Sequence, residues 1–253
     1  MDHAIITANR RHLDTISRWI DDEAYANSRC YYGCPPRLRH VVDLPINDDV
    51  TYTDLLVQAA RHLGAPLHYL EVGVSLGKNF YVLARALEGA HLFGLDWERI
   101  NPVLEARLEP LAVEERARRY ALGPNRITYL QGDLFRLEDW RTLEGVRFQL
   151  AFFDAIDRAE ALLFEVDRML ELGLIDPHRF FLLWDDLDAD ADGATTRAFH
   201  HAAERIQREL GAPSDGLFRL TVNGSLGQHE PPHFLGVVNN VGLTRDSFAG
   251  SRV

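Results

Sequence analysis

The feature that most limits what this chain can fold into is an alternation: from His68 onward, short apolar runs are separated by segments of helical periodicity. The runs cover residues 68–72, 91–95, 127–131, 148–153 and 180–184, and each is rich in apolar or aromatic residues. Short runs of this kind, bounded by helical patterns, belong inside a parallel sheet whose linking helices cover both faces. Helices are therefore expected in the connections between them. The last third breaks the rhythm. LFRLTVNG (217–224) and HFLGVVNNV (233–241) are joined by the turn-rich GSLGQHEPP, which predicts an antiparallel hairpin at one sheet edge.

Ahead of the sheet, Ile5, Ile6, Leu13, Ile16, Trp19 and Ile20 recur at helix-like spacing and predict one or two amphipathic helices over 3–27. Residues 28–49, with three prolines and the pair Tyr31 and Tyr32, read as a loop or lid. Thr51 is placed to cap a helix over TYTDLLVQAARHL that Gly64 and Pro66 stop. The expected organisation is a helical N-terminal extension and lid, 1–65, followed by a sheet domain, 66–253.

A length of 253 residues with 46% hydrophobic content supports a continuous core. The formal net charge of -11 argues against a nucleic-acid partner, since such binding needs lysine and arginine to neutralise phosphates. Cys30 and Cys34 are too few for a disulfide framework and lack the other half of a zinc site. No apolar run approaches the roughly 20 residues of a membrane span, so a cytoplasmic protein is expected.

Function concentrates at the strand ends. YLEVGVSLGKNF (69–80) runs strand, glycine turn, helix, with Glu71, Gly73, Ser75 and Gly77 in sequence. Glycine allows a sharp turn and a close approach to a ligand, and the next helix offers free N–H groups. Asp96 and Trp97 end the second strand, where an acid can accept ribose hydroxyls and an indole can flank a base. Gly132 and Asp133 end the third. A dinucleotide would bring its pyrophosphate against Glu71, whereas a ligand with an ammonium and a sulfonium would be attracted to it.

These residues together resemble the class I S-adenosylmethionine-dependent methyltransferases, and small-molecule O-methyltransferases in particular. The resemblance covers about residues 66–241. It implies a Rossmann-like doubly wound α/β sheet of about seven strands, mostly parallel, with the antiparallel C-terminal hairpin. It also implies a cofactor site of Glu71, Gly73, Ser75, Gly77, Asp96, Trp97, Gly132, Asp133 and Asp154. The acceptor is then a small molecule; a homodimer is compatible with it. Ser75 stands where a middle glycine is often found in that family.

For the reacting centre the sequence offers FQLAFFDAIDR, with Asp154 and Asp157, and FFLLWDDLDAD, with Asp185, Asp186, Asp188 and Asp190. Three readings stand side by side. Asp154, Asp185 and Asp186 could hold Mg2+, as the resemblance implies, although Asp186 replaces the family's amide. Alternatively no metal binds, and Asp154 holds the cofactor while Asp157 or Tyr31 is the catalytic base. In the third, residues 185–190 are a solvated turn, with Asp192 or Thr195 capping the next helix. His200, His201, His229 and His233 show no ligand spacing and read as surface or core residues. Two other activities remain open: attack on the cofactor's aminobutyl carbon, and NAD-dependent oxidoreduction.

Overall fold

The structure is a computed structural model that describes residues 1–17, 50–187, 192–222 and 233–248, the side chains of 16 and 17 excepted. The expectations for Tyr31, the 28–49 lid, Cys30, Cys34, Asp188, Asp190 and His229 lie outside these residues.

Five parallel strands form the centre of the sheet: β1 (His68–Val72), β2 (His91–Asp96), β5 (Asn125–Gln131), β6 (Leu150–Phe153) and β7 (Phe181–Trp184). They match the five expected runs, with ends shifted by two residues or fewer. Four more strands lie at the flanks: β3 (Glu109–Val113), β4 (Ala117–Leu122), β8 (Leu217–Val222) and β9 (His233–Asn239). The order is β3-β4-β5-β2-β1-β6-β7-β9-β8. The C-terminal hairpin is antiparallel as expected, β9 pairing with both β7 and β8.

Helices cover both faces, as in a Rossmann-like doubly wound sheet. On one side α1 (His3–Ser17), α2 (Tyr52–Leu63) and α3 (Lys78–Ala86) bury Leu13, Leu55, Leu56, Phe80 and Leu83 against Tyr69, Leu92 and Phe152. On the other, α5 (Leu137–Arg141), α6 (Ala159–Glu171) and α7 (Ala194–Leu210) bury Trp140, Val166, Met169, Phe199 and Ile206 against Leu70, Phe93, Ala151 and Leu182. The short α4 (Pro102–Glu105) and α8 (Arg245–Phe248) complete the set. No helix among the described residues is long and apolar enough to cross a membrane.

The N-terminal segment is tied down by polar chemistry as well as by packing. Thr51 caps α2 in a reciprocal capping box with Asp54, as its position suggested. Asp54 is fully buried and also accepts from Asn9 Nδ2 at 2.8 Å and Arg10 Nη2 at 2.6 Å, which pins α1 onto α2. A buried carboxylate is tolerable only with partners of this quality.

One connection corrects the sequence reading. Between β2 and β5 a helix was expected, but the chain makes only the four-residue α4 and then the antiparallel hairpin β3–β4, which widens the sheet from about seven strands to nine. The stretch EPLAVEERARRYAL is made mostly of good helix formers, which is why it reads as helix. Tertiary pairing overrides that preference. A two-residue turn, with Gly123 at φ +59°, folds β4 back along β5 in a six-pair register that buries Tyr120 beside Ile127.

Candidate active site

The strands end in step, and that brings the candidate residues together. Beyond the sheet proper the ladder continues one residue further: Gly73 N–H donates to Leu95 O, Gly132 N–H to Asp96 O, Asp154 N–H to Val72 O, and Asp185 N–H to Phe153 O. Gly73, Asp96, Asp154 and Asp185 thus line one edge, the carboxyl edge where ligands of open parallel sheets bind.

Gly73 has φ +85°, and a Cβ there would run into the backbone carbonyl of Asp154. The turn between β1 and α3 can pass this close to β6 only with glycine. Ser75 also takes a positive φ, +50°, and Gly77 caps α3 at +76°. The loop is clasped by Asp96, whose Oδ2 accepts from the N–H of Val74 at 2.8 Å and of Ser75 at 3.0 Å, while Oδ1 accepts from Glu98 N–H at 3.0 Å. Asp96, expected to face ribose, shapes the glycine loop.

Glu71 is 2% exposed and accepts from Tyr69 Oη at 3.0 Å and Asn79 Nδ2 at 2.9 Å. Burial pushes its carboxyl up to about 8, against the pull of those two donors and of Lys78. Trp97 is 62% exposed at the rim. Asp133 is exposed, and its Oδ1 accepts from Phe135 N–H. Gly132 packs closely on Asp139 and Leu95, leaving little room for a side chain.

Of the six acids expected to face one cleft, the four within the described residues come together. Carboxylate oxygens of Asp154, Asp157 and Asp186 lie within 4.8 Å of one another, and so do ligand atoms of Asp185, Asp186 and His233. Burial first, then Asp185, raises Asp154 well above the carboxylate range. Asp157 is raised to about 6 by burial and by Asp186 and Asp185. Asp186 sits at φ +53°, a conformation that Asp adopts more readily than most residues, and this turns it back toward Asp157.

His233, read from sequence as an ordinary residue, belongs to this site. Its Nδ1 lies 2.8 Å from Asp185 Oδ2 and 3.4 Å from Asp186 Oδ1. Burial alone would lower the imidazole, but the two carboxylates outweigh it and raise it to about 10, so the ring is held as a cation. Asp185 also accepts from Asp186 N–H at 2.8 Å. Its buried carboxylate thus has bonded partners, and Asp154, Asp157 and Asp186 form the second set of converging carboxylate oxygens. No signal along the chain marks His233, because the antiparallel return of β9 beside β7 is what brings it to Asp185. The rings of His233 and Tyr52 lie edge to face at 5.8 Å, and Lys78 Nζ donates to Tyr52 Oη. Neither Tyr52 nor Lys78 was expected in the site. At the next helix start, Asp192 Oδ1 accepts from Ala194 N–H, but the N-cap of α7 is Gly193 in the left-handed region, so neither Asp192 nor Thr195, the caps expected, holds that position.

No protein-family model matches the chain, and no curated protein matches it. Solved structures do resemble it. The O-methyltransferase TomG of Streptomyces achromogenes, involved in tomaymycin synthesis and solved with S-adenosylmethionine, is 19% identical over 87% of this chain and 90% of its own, with a TM-score of 0.45. The N-methyltransferase NodS of Bradyrhizobium japonicum, solved with S-adenosylhomocysteine, is 15% identical over 90% and 98%, with a TM-score of 0.41. Human methyltransferase-like protein 13, also with S-adenosylhomocysteine, is 11% identical over 75% and 82%, with a TM-score of 0.47.

Proposed function

We propose that this chain is an S-adenosylmethionine-dependent methyltransferase that methylates a small-molecule acceptor on oxygen. The observation that carries the reading is the edge itself: a glycine loop clasped by Asp96, with the acids Glu71 and Asp154 and the amine Lys78 gathered at the carboxyl ends of adjacent strands. A nucleoside joined to an amino acid and a sulfonium suits this mixture. A pyrophosphate would meet the carboxylates.

In this reading Glu71, Gly73, Ser75, Gly77, Asp96, Trp97, Gly132, Asp133 and Asp154 hold the cofactor, which supplies an already activated methyl group. The remaining task for the protein is alignment and exclusion of water. Asp157, raised to about 6, is suited to take a proton from the acceptor near neutral pH. As the alternative to a metal-free site, Asp154, Asp157 and Asp186 bring together the hard oxygen donors that Mg2+ prefers. The extension 1–65, with Tyr31, is assigned to the acceptor side.

Calorimetric titration with S-adenosylmethionine, S-adenosylhomocysteine and NAD, each with Mg2+ and with chelator, tests the proposal. Binding of both sulfur nucleosides in the micromolar range, and not of NAD, is the expected result. Binding of NAD alone would overturn it.

A further inference from the structure

A recess of about 20 Å³ lies behind the ends of β6 and β7, with room for one water-sized group. Its mouth is the exposed stretch 156–158, and its floor is buried, Trp184 at 2% and Glu165 at 3% exposure. Packing fixes that floor. Trp184 stacks on Phe153 at 4.7 Å between ring centres with planes 10° apart, and its Nε1 donates to Glu165 Oε2 at 3.3 Å. The other carboxyl oxygen, Oε1, has no hydrogen-bond partner among the described residues, although Glu165 lines the recess. A buried acid with one oxygen unbonded beside a space of this size is suited to a ligand.

Charge then narrows what that ligand is. Asp154, Asp157 and Asp185 line the recess with Glu165, and the one basic side chain of the lining, Arg158, lies at the exposed mouth. Asp185 is matched by His233. Glu165 has no such match: burial pushes its carboxyl up to about 8, and only the Trp184 bond opposes this. A cation in the recess would take the place of the proton that burial leaves there. Size decides which cation. Mg2+ gives up its waters reluctantly and needs more room than one water occupies, whereas a primary ammonium head is water-sized and offers three donors to a wall of acceptors. Resting on the methyltransferase reading, we propose that the acceptor carries a primary ammonium group, and that the recess floored by Glu165 binds it while the hydroxyl to be methylated lies toward Asp157 at the mouth. No bond is made or broken at Glu165; its role is to select the acceptor.

The experiment pairs small amino alcohols with diols of the same length, ethanolamine against ethylene glycol and propanolamine against propanediol. Binding is titrated by saturation-transfer NMR on the full chain with S-adenosylhomocysteine and chelator present, for the unaltered protein, Glu165→Gln and Glu165→Leu. The unaltered chain is expected to hold each amino alcohol about tenfold or more tighter than its diol, and Glu165→Gln, of the same shape but without charge, to bring the pair within about threefold. Glu165→Leu should do the same. Affinity for S-adenosylhomocysteine should stay within about twofold in both variants, since Glu165 is outside the cofactor set. Equal binding of amine and diol by the unaltered chain, or a preference for the amine that survives both substitutions, would overturn the ammonium subsite. A chain that binds S-adenosylhomocysteine without preferring the amine loses the subsite alone; a chain that does not bind S-adenosylhomocysteine loses the methyltransferase reading and the acceptor with it.

Discussion

Glu165 allows a quantitative test of how the fold treats its buried acids. It lies on α6, 3% exposed, and accepts one hydrogen bond, from Trp184 Nε1 at 3.3 Å. It lines a small cavity behind the strand ends together with Asp154, Asp157 and Thr195. Burial pushes its carboxyl from 4.5 up to about 8, and the Trp184 bond only partly opposes this. The folded chain thus keeps a proton that the unfolded chain has released, and Glu165's contribution to stability is full below pH about 4.5 and lost as the pH rises through about 8. From these two values the loss is under about 1 kcal/mol at pH 5 and about 3 kcal/mol at pH 7. Glu165→Gln keeps the shape and an oxygen for Trp184 but cannot ionise. Urea unfolding followed by tryptophan fluorescence at pH 5, 6, 7 and 8 should therefore show the variant gaining on the unaltered chain as the pH rises, by up to about 3 kcal/mol at pH 7. A difference that stays constant over this range would refute a proton held at Glu165.

Two further substitutions test other parts of the structure. Gly73→Ala combines a positive φ with a Cβ against the Asp154 carbonyl; it should cost about 3 kcal/mol and lower the melting temperature by roughly 6–12 °C, whereas a change within about 2 °C would contradict the close approach of β1 and β6. Arg10→Met leaves the Asp54 carboxylate buried without its cation and should cost about 3–5 kcal/mol in urea unfolding, and a near-zero effect would mean that α1 is not docked on α2 as described.

What could be read from the sequence, and what could not, divides along the range of the interactions. The five central strands announce themselves because a strand covered on both faces must be apolar along its whole length, and the Thr51 cap because its chemistry lies within four residues. The glycine loop and the acids at 96, 154 and 185 follow from the same local grammar of strand ends. The β3–β4 hairpin does not, since residues with helical preference are drawn to the open edge of β5 by pairing that no window along the chain contains. His233 was passed over for a similar reason. It meets Asp185, 48 residues away, only through the register of β7 and β9. Asp54 lies between these cases: its cap is local and visible, while its bonds to Asn9 and Arg10 span 45 and 44 residues.

The hairpin that replaces the expected helix also determines how the sheet stops. As the outermost strand, β3 carries Leu111 and Val113 at 55% and 68% exposure, and a straight ribbon with such side chains invites another chain to add itself. Pro110 has no N–H to offer an incoming strand, and the register slips between Pro110 and Ala112. Glu109, Glu114 and Glu115 bracket the segment with negative charge. A newcomer would meet a gap in the donor row, a kinked backbone and repulsion at both ends, so the widened sheet carries its own protection against aggregation.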